Sequence, residues 1–404
     1  MNNHLELAIH GGKPVRDSFL SYGKQWIDEE DIQAVIKVLR GDYLTTGPEV
    51  GRFEEEIAKY VGSKYAVSFS NGTAALHGAC YAAGISGGDE VITTPMTFVA
   101  SANCVLYLGG SPVFADIDPK TYNINPQKIE QLITDKTKAI IPVDFTGQPA
   151  DLDAIIKIAK ENNLVVIEDA AHAIGAKYNG KKIGSISDMA MFSFHPVKHI
   201  TTGEGGVITT NSEDYYKKLL QFRTHGITRD PGLLKEQHGP WYYEMQFLGF
   251  NYRMTDFQAA LGISQLDKLE KFLELRKKYV EIYNEAFREL REIKVPYQPA
   301  FSDSSWHLYI VRLNMELLNA NRKQIYEALV KENIGVNVHY IPVYMQPYYQ
   351  QLGYKKGICP EAEKLYEEMI TLPLFPAMEE ADVYDVISAV KKVIRYYSKE
   401  KNYK

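Results

Sequence analysis

Short apolar runs alternate with helix-length amphipathic stretches from about residue 65 to residue 210. The seven strand-like runs are Tyr65–Ser70, Glu90–Thr94, Pro112–Asp116, Ala139–Asp144, Leu164–Ala170, Met189–Phe194 and Val207–Thr210. Apolar positions at helical spacing lie between several of them, as in Thr73–Ala83 and Leu152–Glu161. Near-continuous apolar strands that alternate with helices predict an α/β domain with a mainly parallel sheet buried on both faces.

The pattern changes in the last third of the chain. Residues Asp256–Leu290 have apolar positions at helical spacing with charges between them, which predicts one long helix. Two strand-like and two helical stretches follow: Trp306–Leu313, Gly335–Tyr340, Arg322–Lys331 and Val383–Tyr397. This pattern predicts a smaller α+β domain. We therefore place a large domain with an N-terminal arm at residues 1–265, and a smaller domain that includes the long connecting helix at residues 266–404.

Composition narrows the possible functions. The chain has 404 residues, which suits one large domain with a smaller one, and its formal net charge of -6 gives no reason to expect a nucleic-acid partner. Its three cysteines form no CxxC pair, which indicates a reducing compartment. There is no apolar leader and no apolar run of the ~20 residues that a membrane helix needs. We expect a cytoplasmic protein without a membrane partner.

Polar residues that could bind or react with a ligand lie at the ends of several predicted strands. Asn71, Asp169 and Ser193 each end or follow a strand, and ligands of parallel sheets bind beyond the carboxyl ends of strands. Lys198 follows Ser193 and precedes the glycine-rich stretch Thr201–Gly206. Pyridoxal phosphate (PLP) needs such groups: an amine that forms a Schiff base, an acid that keeps the pyridine nitrogen protonated, and a hydroxyl for the phosphate.

Each of these residues also has a structural explanation. Asn71 or Thr73 could cap a helix at a strand-to-helix turn, although free N–H groups at such a start also attract phosphate. Asp169 could form a structural salt bridge or bind a metal. His172 could contact the cofactor ring or pack in the core, and Lys198 could be an ordinary surface lysine.

A metal site at His195 and His199 is a further alternative, since the two histidines are four residues apart. Pro196 between them disfavours a regular helix, and no nearby Cys or HExxH motif supports zinc. We expect no metal ion.

Five segments together match the pattern of one family: Asn71–Leu76, Thr94–Phe98, Glu168–His172, Lys198 with Gly203–Gly206, and Asn251–Met254. At these residues the chain resembles the DegT/DnrJ/StrS-type sugar-nucleotide aminotransferases over nearly its whole length. The resemblance implies the type I PLP-dependent aminotransferase fold, in which the large domain has a mainly parallel seven-stranded sheet and the C-terminal domain is α+β. It also implies a homodimer with shared active sites.

The resemblance implies roles for individual residues. Lys198 would be the catalytic lysine that binds PLP covalently, and Asp169 would contact the pyridine nitrogen. The other cofactor contacts would be Gly72, Thr73 and Ser193 at the phosphate, Phe98 and His172 at the ring, and Asn251 reaching the phosphate from the other subunit.

Further strings resemble the branch of the family that serves pseudaminic acid biosynthesis: Tyr43–Pro48, Phe194–Lys198, Ile200–Thr202, Arg223–Gly226 and Val336–Tyr340. The implied reaction transfers the amino group of L-glutamate to C4 of a 4-keto-6-deoxy nucleotide sugar, UDP-2-acetamido-2,6-dideoxy-β-L-arabino-hex-4-ulose. The implied sugar-nucleotide contacts are Tyr22, Tyr43, Leu44, Thr45, His339 and Tyr340.

Three alternatives stay open. The enzyme could aminate another 4-keto nucleotide sugar, because sibling enzymes share most of these strings. It could be a PLP-dependent sugar dehydratase, although relatives of that kind have histidine where this chain has Lys198. It could be a non-catalytic regulator, which the intact set of Lys198, Asp169 and Ser193 disfavours.

Overall fold

The computed structural model describes residues 6–400, and its elements alternate between helix and strand through the first half. The α-helices are Glu29–Leu39 (α1), Pro48–Val61 (α2), Gly72–Ala82 (α3), Ala100–Leu106 (α4), Pro126–Glu130 (α5), Leu152–Glu161 (α6), Glu213–Phe222 (α7), Asp256–Asp267 (α8), Leu269–Phe287 (α9), Arg322–Lys331 (α10), Pro347–Gln351 (α11), Pro360–Glu368 (α12) and Glu380–Tyr397 (α13). The strands are Tyr65–Phe69 (β1), Glu90–Thr93 (β2), Ser111–Phe114 (β3), Thr137–Ile141 (β4), Val165–Asp169 (β5), Lys177–Tyr178 (β6), Lys181–Lys182 (β7), Met189–Ser193 (β8), Gly206–Thr210 (β9), Ile227–Thr228 (β10), Glu244–Met245 (β11), Ile293–Lys294 (β12), Ser302–Asp303 (β13), Tyr309–Leu313 (β14) and Met369–Leu372 (β15).

The large sheet contains seven strands in the order β1, β9, β8, β5, β4, β2, β3. The pairs β8–β5, β5–β4, β4–β2 and β2–β3 are parallel, whereas β9 is antiparallel to both of its neighbours. All seven predicted apolar runs form these strands, so the predicted α/β fold with a mainly parallel sheet is confirmed. The carboxyl ends of β1, β5 and β8 lie at one edge, where β9 begins.

Both faces of the sheet are covered, which explains why its strands lack the alternation of a half-exposed sheet. One face packs with α2, α6 and α8 through residues such as Phe53 and Ile155. The other packs with α3, α4 and α7 through residues such as Leu76, Val105 and Leu219. The sheet is therefore a rigid layer that fixes the positions of its strand ends.

A second core surrounds the antiparallel sheet β12–β14–β15. Residues from α9, α10 and α13, including Tyr283, Leu329 and Val390, pack with Val311 of β14. This core has the predicted α+β composition. The placement of the domain boundary between residues 265 and 266 stays a prediction, and it falls within α8, two residues before that helix ends.

The single long helix predicted for Asp256–Leu290 is wrong, because Lys268 separates α8 from α9. The backbone N–H of Lys268 bonds to the carbonyl of Gln265, three residues back, so the helical register tightens there. The Lys268 ammonium group lies 2.6 Å from Asp28 Oδ1 and 2.7 Å from Asp31 Oδ2. The break thus places this cation against the start of α1.

The strand predicted at Gly335–Tyr340 is also wrong, since only Asn337 forms a bridge there, with Thr371 of β15. The Asn337 side-chain oxygen accepts the N–H of Val338 at 2.8 Å, a local bond that competes with strand pairing. Strand β15, which the sequence pattern did not reveal, pairs with β14 instead.

Candidate active site

The start of α3 forms one side of the candidate site. Asn71 is the N-cap, and its side-chain oxygen accepts the N–H of Ala74 at 2.8 Å. The N–H groups of Gly72 and Thr73 precede the helical hydrogen bonds and remain available to an anion. A Cβ added at Gly72 would lie 3.3 Å from the Cβ of Ser193 and 3.4 Å from its Oγ. Glycine therefore permits close approach between the helix start and the hydroxyl at the end of β8.

Asp169 lies at the carboxyl end of β5 and is 4% exposed. Its Oδ2 accepts the hydroxyl of Ser101 at 2.6 Å, and its Oδ1 accepts the N–H of Ala171 at 3.1 Å. Burial raises the pKa of Asp169, while the two hydrogen bonds and the positive charge of Lys198 lower it. Asp169 forms no ion pair within residues 6–400, which argues against the structural salt bridge considered above.

Lys198 follows β8 in a turn in which its backbone N–H bonds to the carbonyl of His195 at 2.9 Å. The side chain is partly buried. Burial lowers the pKa of Lys198 to about 8, although the negative charge of Asp169 opposes the shift. About a tenth of this amine is therefore neutral at pH 7, far more than for a lysine with its ordinary pKa, and a nucleophile or a general base needs this neutral form.

Aromatic and imidazole rings line another side. Nε2 of His172 lies 3.3 Å from the hydroxyl of Tyr340, and the ring centroids of Tyr22 and His339 are 5.3 Å apart. Nδ1 of His339 lies 2.9 Å from the hydroxyl of Thr371. Burial lowers the pKa of His172 well below its ordinary value and that of His339 to about 3, so both rings are neutral. The structure thus brings four predicted site residues into one polar wall.

The remaining predicted site residues are more exposed to solvent. Phe98, Tyr43 and Leu44 are 57%, 59% and 50% exposed, and Thr45 and Asn251 are exposed as well. Phe98 still lies near the wall, with its ring centroid 6.2 Å from that of Tyr340.

Among these exposed residues, Leu44, Thr45 and Asn251 contact parts of the chain other than the wall that Phe98 lies near. Leu44 and Thr45 contact the residues that begin α8, and Asn251 pairs with Thr224. Within residues 6–400, these three residues form no hydrogen bond with Asp169, His172 or Lys198.

We use two names for these sets of residues. The inner group is Ser101, Asp169, His172 and Lys198. The outer group is Tyr43, Leu44, Thr45, Phe98 and Asn251.

Ser101 is the site residue that the sequence analysis missed. It belongs to α4 and lies 68 positions before the carboxylate it contacts. A second hydroxyl, that of Thr97, lies 2.7 Å from Ser101 Oγ. The signal in the sequence is weak, because Thr97 and Ser101 are hydroxyl residues four positions apart in a stretch for which the sequence analysis predicted no helix.

Comparisons with known proteins match this arrangement. Residues 25–391 match the model of the DegT/DnrJ/EryC1/StrS aminotransferase family. The chain belongs to this family. The spore coat polysaccharide biosynthesis protein SpsC of Bacillus subtilis is 42% identical to this DegT-family aminotransferase over 382 residues, which are 94% of this chain and 98% of SpsC.

Two solved structures support the same assignment. PseC of Helicobacter pylori, an aminotransferase of pseudaminic acid biosynthesis, has a TM-score of 0.88 and 33% identity, covering 94% of this chain and 100% of PseC. The PLP form of Spr1654 of Streptococcus pneumoniae, a candidate sugar aminotransferase, also has a TM-score of 0.88, with 31% identity over 94% and 100% of the two chains. The predicted family, fold and cofactor are confirmed, and the protein is a PLP-dependent sugar aminotransferase.

The described residues fit this cofactor. The buried carboxylate of Asp169 suits a protonated ring nitrogen, and the amine of Lys198 suits a covalent bond to an aldehyde. The start of α3 beside Ser193 suits a phosphate. Within residues 6–400 no three His, Cys, Asp or Glu side chains are arranged to hold a metal ion. None of the helices in this range is long and apolar enough to cross a membrane.

Proposed function

We propose that this aminotransferase transfers the amino group of L-glutamate to C4 of UDP-2-acetamido-2,6-dideoxy-β-L-arabino-hex-4-ulose, in pseudaminic acid biosynthesis. The observation that carries the proposal is the likeness to PseC over 94% of this chain. The strings around Tyr43 and His339 that resemble this branch of the family support it. The enzyme would act on nucleotide sugars in the cytoplasm, as the composition indicates.

The inner group suits the chemistry of amino transfer. When bound, PLP supplies the carbonyl group that exchanges for an amine and the electron sink that eases proton removal. Asp169 would hold the ring nitrogen protonated, with Ser101 and the N–H of Ala171 keeping its carboxylate in place. Lys198 would move the proton between the cofactor and the substrate carbon, since its pKa of about 8 lets it act as base and acid.

Two sets of neutral donors would bind the substrate and the phosphate. Gly72 and Thr73 offer backbone N–H groups and Ser193 a hydroxyl to the phosphate. Tyr340 keeps its proton because burial raises its pKa, so its hydroxyl can donate to a sugar oxygen. Both nitrogens of His339 have partners in the chain, Thr371 at 2.9 Å from Nδ1 and Asn337 at 3.4 Å from Nε2, so this ring would contact the same ligand through its face.

The outer group is the basis for proposing a homodimer with shared sites. Asn251 is exposed, and the segment that precedes it in the sequence carries large exposed apolar side chains, including Trp241 at 72% and Leu248 at 78%. Such a patch is typical of an interface. In a twofold dimer each chain would present Asn251 to the phosphate in the partner's site.

The comparison with SpsC supports a second candidate for the substrate sugar. SpsC of Bacillus subtilis shares 42% of its residues with this chain over the aligned length, compared with 33% for PseC. That protein is named for spore coat polysaccharide biosynthesis, so a different 4-keto nucleotide sugar is the second candidate substrate.

The amination test compares sugars and donors directly. Purified enzyme is incubated with L-glutamate and a panel of 4-keto UDP-, GDP- and dTDP-sugars, and mass spectrometry measures the amino products. We expect the UDP-linked L-arabino-hex-4-ulose to react fastest and L-glutamate to outperform other amino acids. The Lys198→Ala enzyme is the blank. Faster amination of a dTDP- or GDP-sugar, or preference for another donor, would show that the proposed substrate pair is wrong.

Complementation tests the shared site. The Lys198→Ala and Asn251→Ala chains should each be nearly inactive, yet their heterodimer would contain one site with both lesions and one with neither. About a quarter to a half of the wild-type activity should return, depending on how fully the chains exchange. Verified heterodimers without recovery would show that Asn251 acts within its own chain or has no role.

A further inference from the structure

The turn that leads into α2 has a strained backbone. Thr46 has a φ of 56°, in the left-handed region that a β-branched residue seldom adopts. Such a conformation is unfavourable by itself and persists where the surrounding contacts hold it. The residues directly before it, Tyr43, Leu44 and Thr45, are exposed and are the proposed sugar-nucleotide contacts. The contacts that hold this turn therefore also set the position of a proposed substrate-binding surface.

The start of α2 lacks a cap of its own. Gly47 is the N-cap and has no side chain that could accept a hydrogen bond, and Pro48 has no N–H. Asp256, 209 positions after Gly47, supplies the acceptors instead. Its Oδ2 accepts the N–H of Gly47 at 2.8 Å, and its Oδ1 accepts the N–H of Glu49 at 3.0 Å. The first turn of α2 is thus held by a carboxylate from another helix.

Asp256 also bonds to the other side of the turn. Its backbone N–H donates to the carbonyl of Leu44 at 3.0 Å, and Thr45 forms an antiparallel bridge with Thr255. The backbone of Asp256 therefore holds residue 44, while its side chain holds residue 47. A change in the backbone angles of Thr46 would move these two sides relative to each other and strain the bonds.

Asp256 is itself held in place. Its side chain is fully buried, at 0% exposed. Oε1 of Gln258 accepts the N–H of Thr255 at 3.0 Å, and the Gln258 amide donates to the carbonyl of Glu204 at 2.8 Å, which anchors the start of α8 to the loop before β9. A Cβ added at Gly47 would lie 2.8 Å from Oδ1 of Asp256, so glycine permits the close approach of the two helix starts.

We propose that Asp256 is a positioning residue for the nucleotide sugar, because it fixes the turn that carries Tyr43, Leu44 and Thr45. Its carboxylate is buried and bonded at both oxygens, so Asp256 acts through these residues and does not contact the ligand itself. A turn that is held before binding loses less conformational entropy when the ligand binds, which raises affinity. This inference rests on the proposed contacts between the turn and the sugar nucleotide.

The first test compares the two half-reactions of Asp256→Asn. Asparagine has the same shape, but one acceptor oxygen becomes an NH₂ donor that faces a backbone N–H. The start of α2 then keeps at most one of its two bonds to the side chain. We expect the KM for the nucleotide sugar to rise about tenfold, equivalent to about 1.4 kcal/mol, while the half-reaction with L-glutamate changes by less than about twofold.

Asp116→Asn is the matched control. Asp116 is 6% exposed and caps α12 in the same way, since its Oδ2 and Oδ1 accept the N–H groups of Glu361 and Ala362 at 2.9 and 3.0 Å. That helix also has a proline in its first turn and no side-chain hydrogen bond from its own N-cap. Both variants should lose thermal stability, whereas Asp116→Asn should leave the KM for the nucleotide sugar unchanged.

The second test measures hydrogen exchange of the holoenzyme by mass spectrometry. The N–H groups of Gly47 and Glu49 exchange when their bonds to Asp256 open. We expect about tenfold faster exchange in peptides that cover residues 43–50 of Asp256→Asn, and no change there in Asp116→Asn. Gly47→Ala should give the same faster exchange and the same rise in KM, because its Cβ must displace Tyr43 or the carboxylate.

The proposal is overturned if Asp116→Asn raises the KM as much as Asp256→Asn does, or if Asp256→Asn slows both half-reactions equally. It is also overturned if the exchange of residues 43–50 is unchanged, or if faster exchange leaves the KM unchanged. Should Asp256→Asn not fold, Gly47→Ala must show both effects.

The KM is measured with whichever 4-keto nucleotide sugar the wild type aminates fastest. A wrong choice of sugar or donor under the proposed function would therefore appear in the wild-type enzyme. A failure of the present inference would appear only in the difference between the wild type and its variants.

Discussion

The inner and outer groups of the site are held in different ways. Asp169 is 4% exposed and its two carboxylate oxygens accept hydrogen bonds from Ser101 and Ala171 of the same chain. Leu44 and Phe98 of the outer group are 50% and 57% exposed, although both are large apolar residues. The comparison indicates that a single chain holds the inner group in place, whereas the outer group is open in a single chain and would, in our proposal, be covered by a ligand or by the second chain of a dimer.

The largest expected effect is that of Asp169→Asn, which keeps the shape of the side chain but removes its charge. Loss of the electron sink should raise the barrier to proton removal by on the order of 5 kcal/mol, which slows turnover several-thousand-fold. Single-turnover kinetics with L-glutamate measures it. Glu168→Gln is the control, because Glu168 is the buried neighbour that bonds to Ser187 instead. Near wild-type turnover in Asp169→Asn would assign the role to another acid.

The next prediction compares the pKa of Lys198 with that of Lys217, an exposed lysine. Its pKa is lowered to about 8, so the neutral amine predominates above that pH and decreases about tenfold per unit below it. Trace acetylation of the apoenzyme across this range, read by mass spectrometry, should show half-maximal labelling of Lys198 near pH 8. Lys217, whose pKa is raised by Glu213, should label at higher pH. Identical profiles for the two lysines would contradict a preorganised amine.

A moderate effect is expected for Ser101→Ala. Removing a hydroxyl that donates to a carboxylate costs about 1.5–3 kcal/mol, which predicts a turnover roughly ten- to a hundredfold lower if Asp169 is displaced. Ser187→Ala is the matched control, since Ser187 donates to the neighbouring Glu168 at 2.7 Å. Both variants should lose thermal stability, but only Ser101→Ala should slow the reaction with L-glutamate.

The smallest effect is expected in the outer group. Leu44→Ala should change the free energy of unfolding by no more than about 0.5 kcal/mol, because the side chain is half exposed. The KM for the nucleotide sugar should rise a few-fold, while the half-reaction with L-glutamate stays unchanged. An equal loss in both half-reactions would place Leu44 with the inner group.

The sequence predicted the site residues best where polar side chains lie at the ends of strands. Asp169 and Ser193 were predictable because an apolar run ends at each of them, and the carboxyl edge of a parallel sheet collects such residues. Ser101 was not, because its partner is 68 positions away and helix periodicity does not say which face meets a strand end. The strands of the sheet can therefore be predicted from neighbouring residues, whereas the contact between Ser101 and Asp169 depends on residues that are far apart in the sequence.

Two local errors have the same origin. The helical spacing of apolar residues continues across Lys268, but the helix breaks at this residue. The Lys268 side chain forms ion pairs there with Asp28 and Asp31 of a distant segment. The run at Gly335–Tyr340 looked like a strand, whereas Asn337 bonds to its own neighbour and leaves a single bridge. In both places a tertiary or local side-chain bond outweighs the periodic pattern.

The antiparallel strand β9 has a consequence for synthesis on the ribosome. Among residues 6–400, strand β1 pairs with β9 alone, and the first residue of β9, Gly206, is made roughly 140 residues after Tyr65. At about 5–20 residues per second, the nascent chain carries an unpaired strand for on the order of ten seconds, open to chaperones or to other chains. Lys198 lies in the loop that leads into β9, so the partner strand of β1 and the lysine proposed to be catalytic are synthesised within the same short interval.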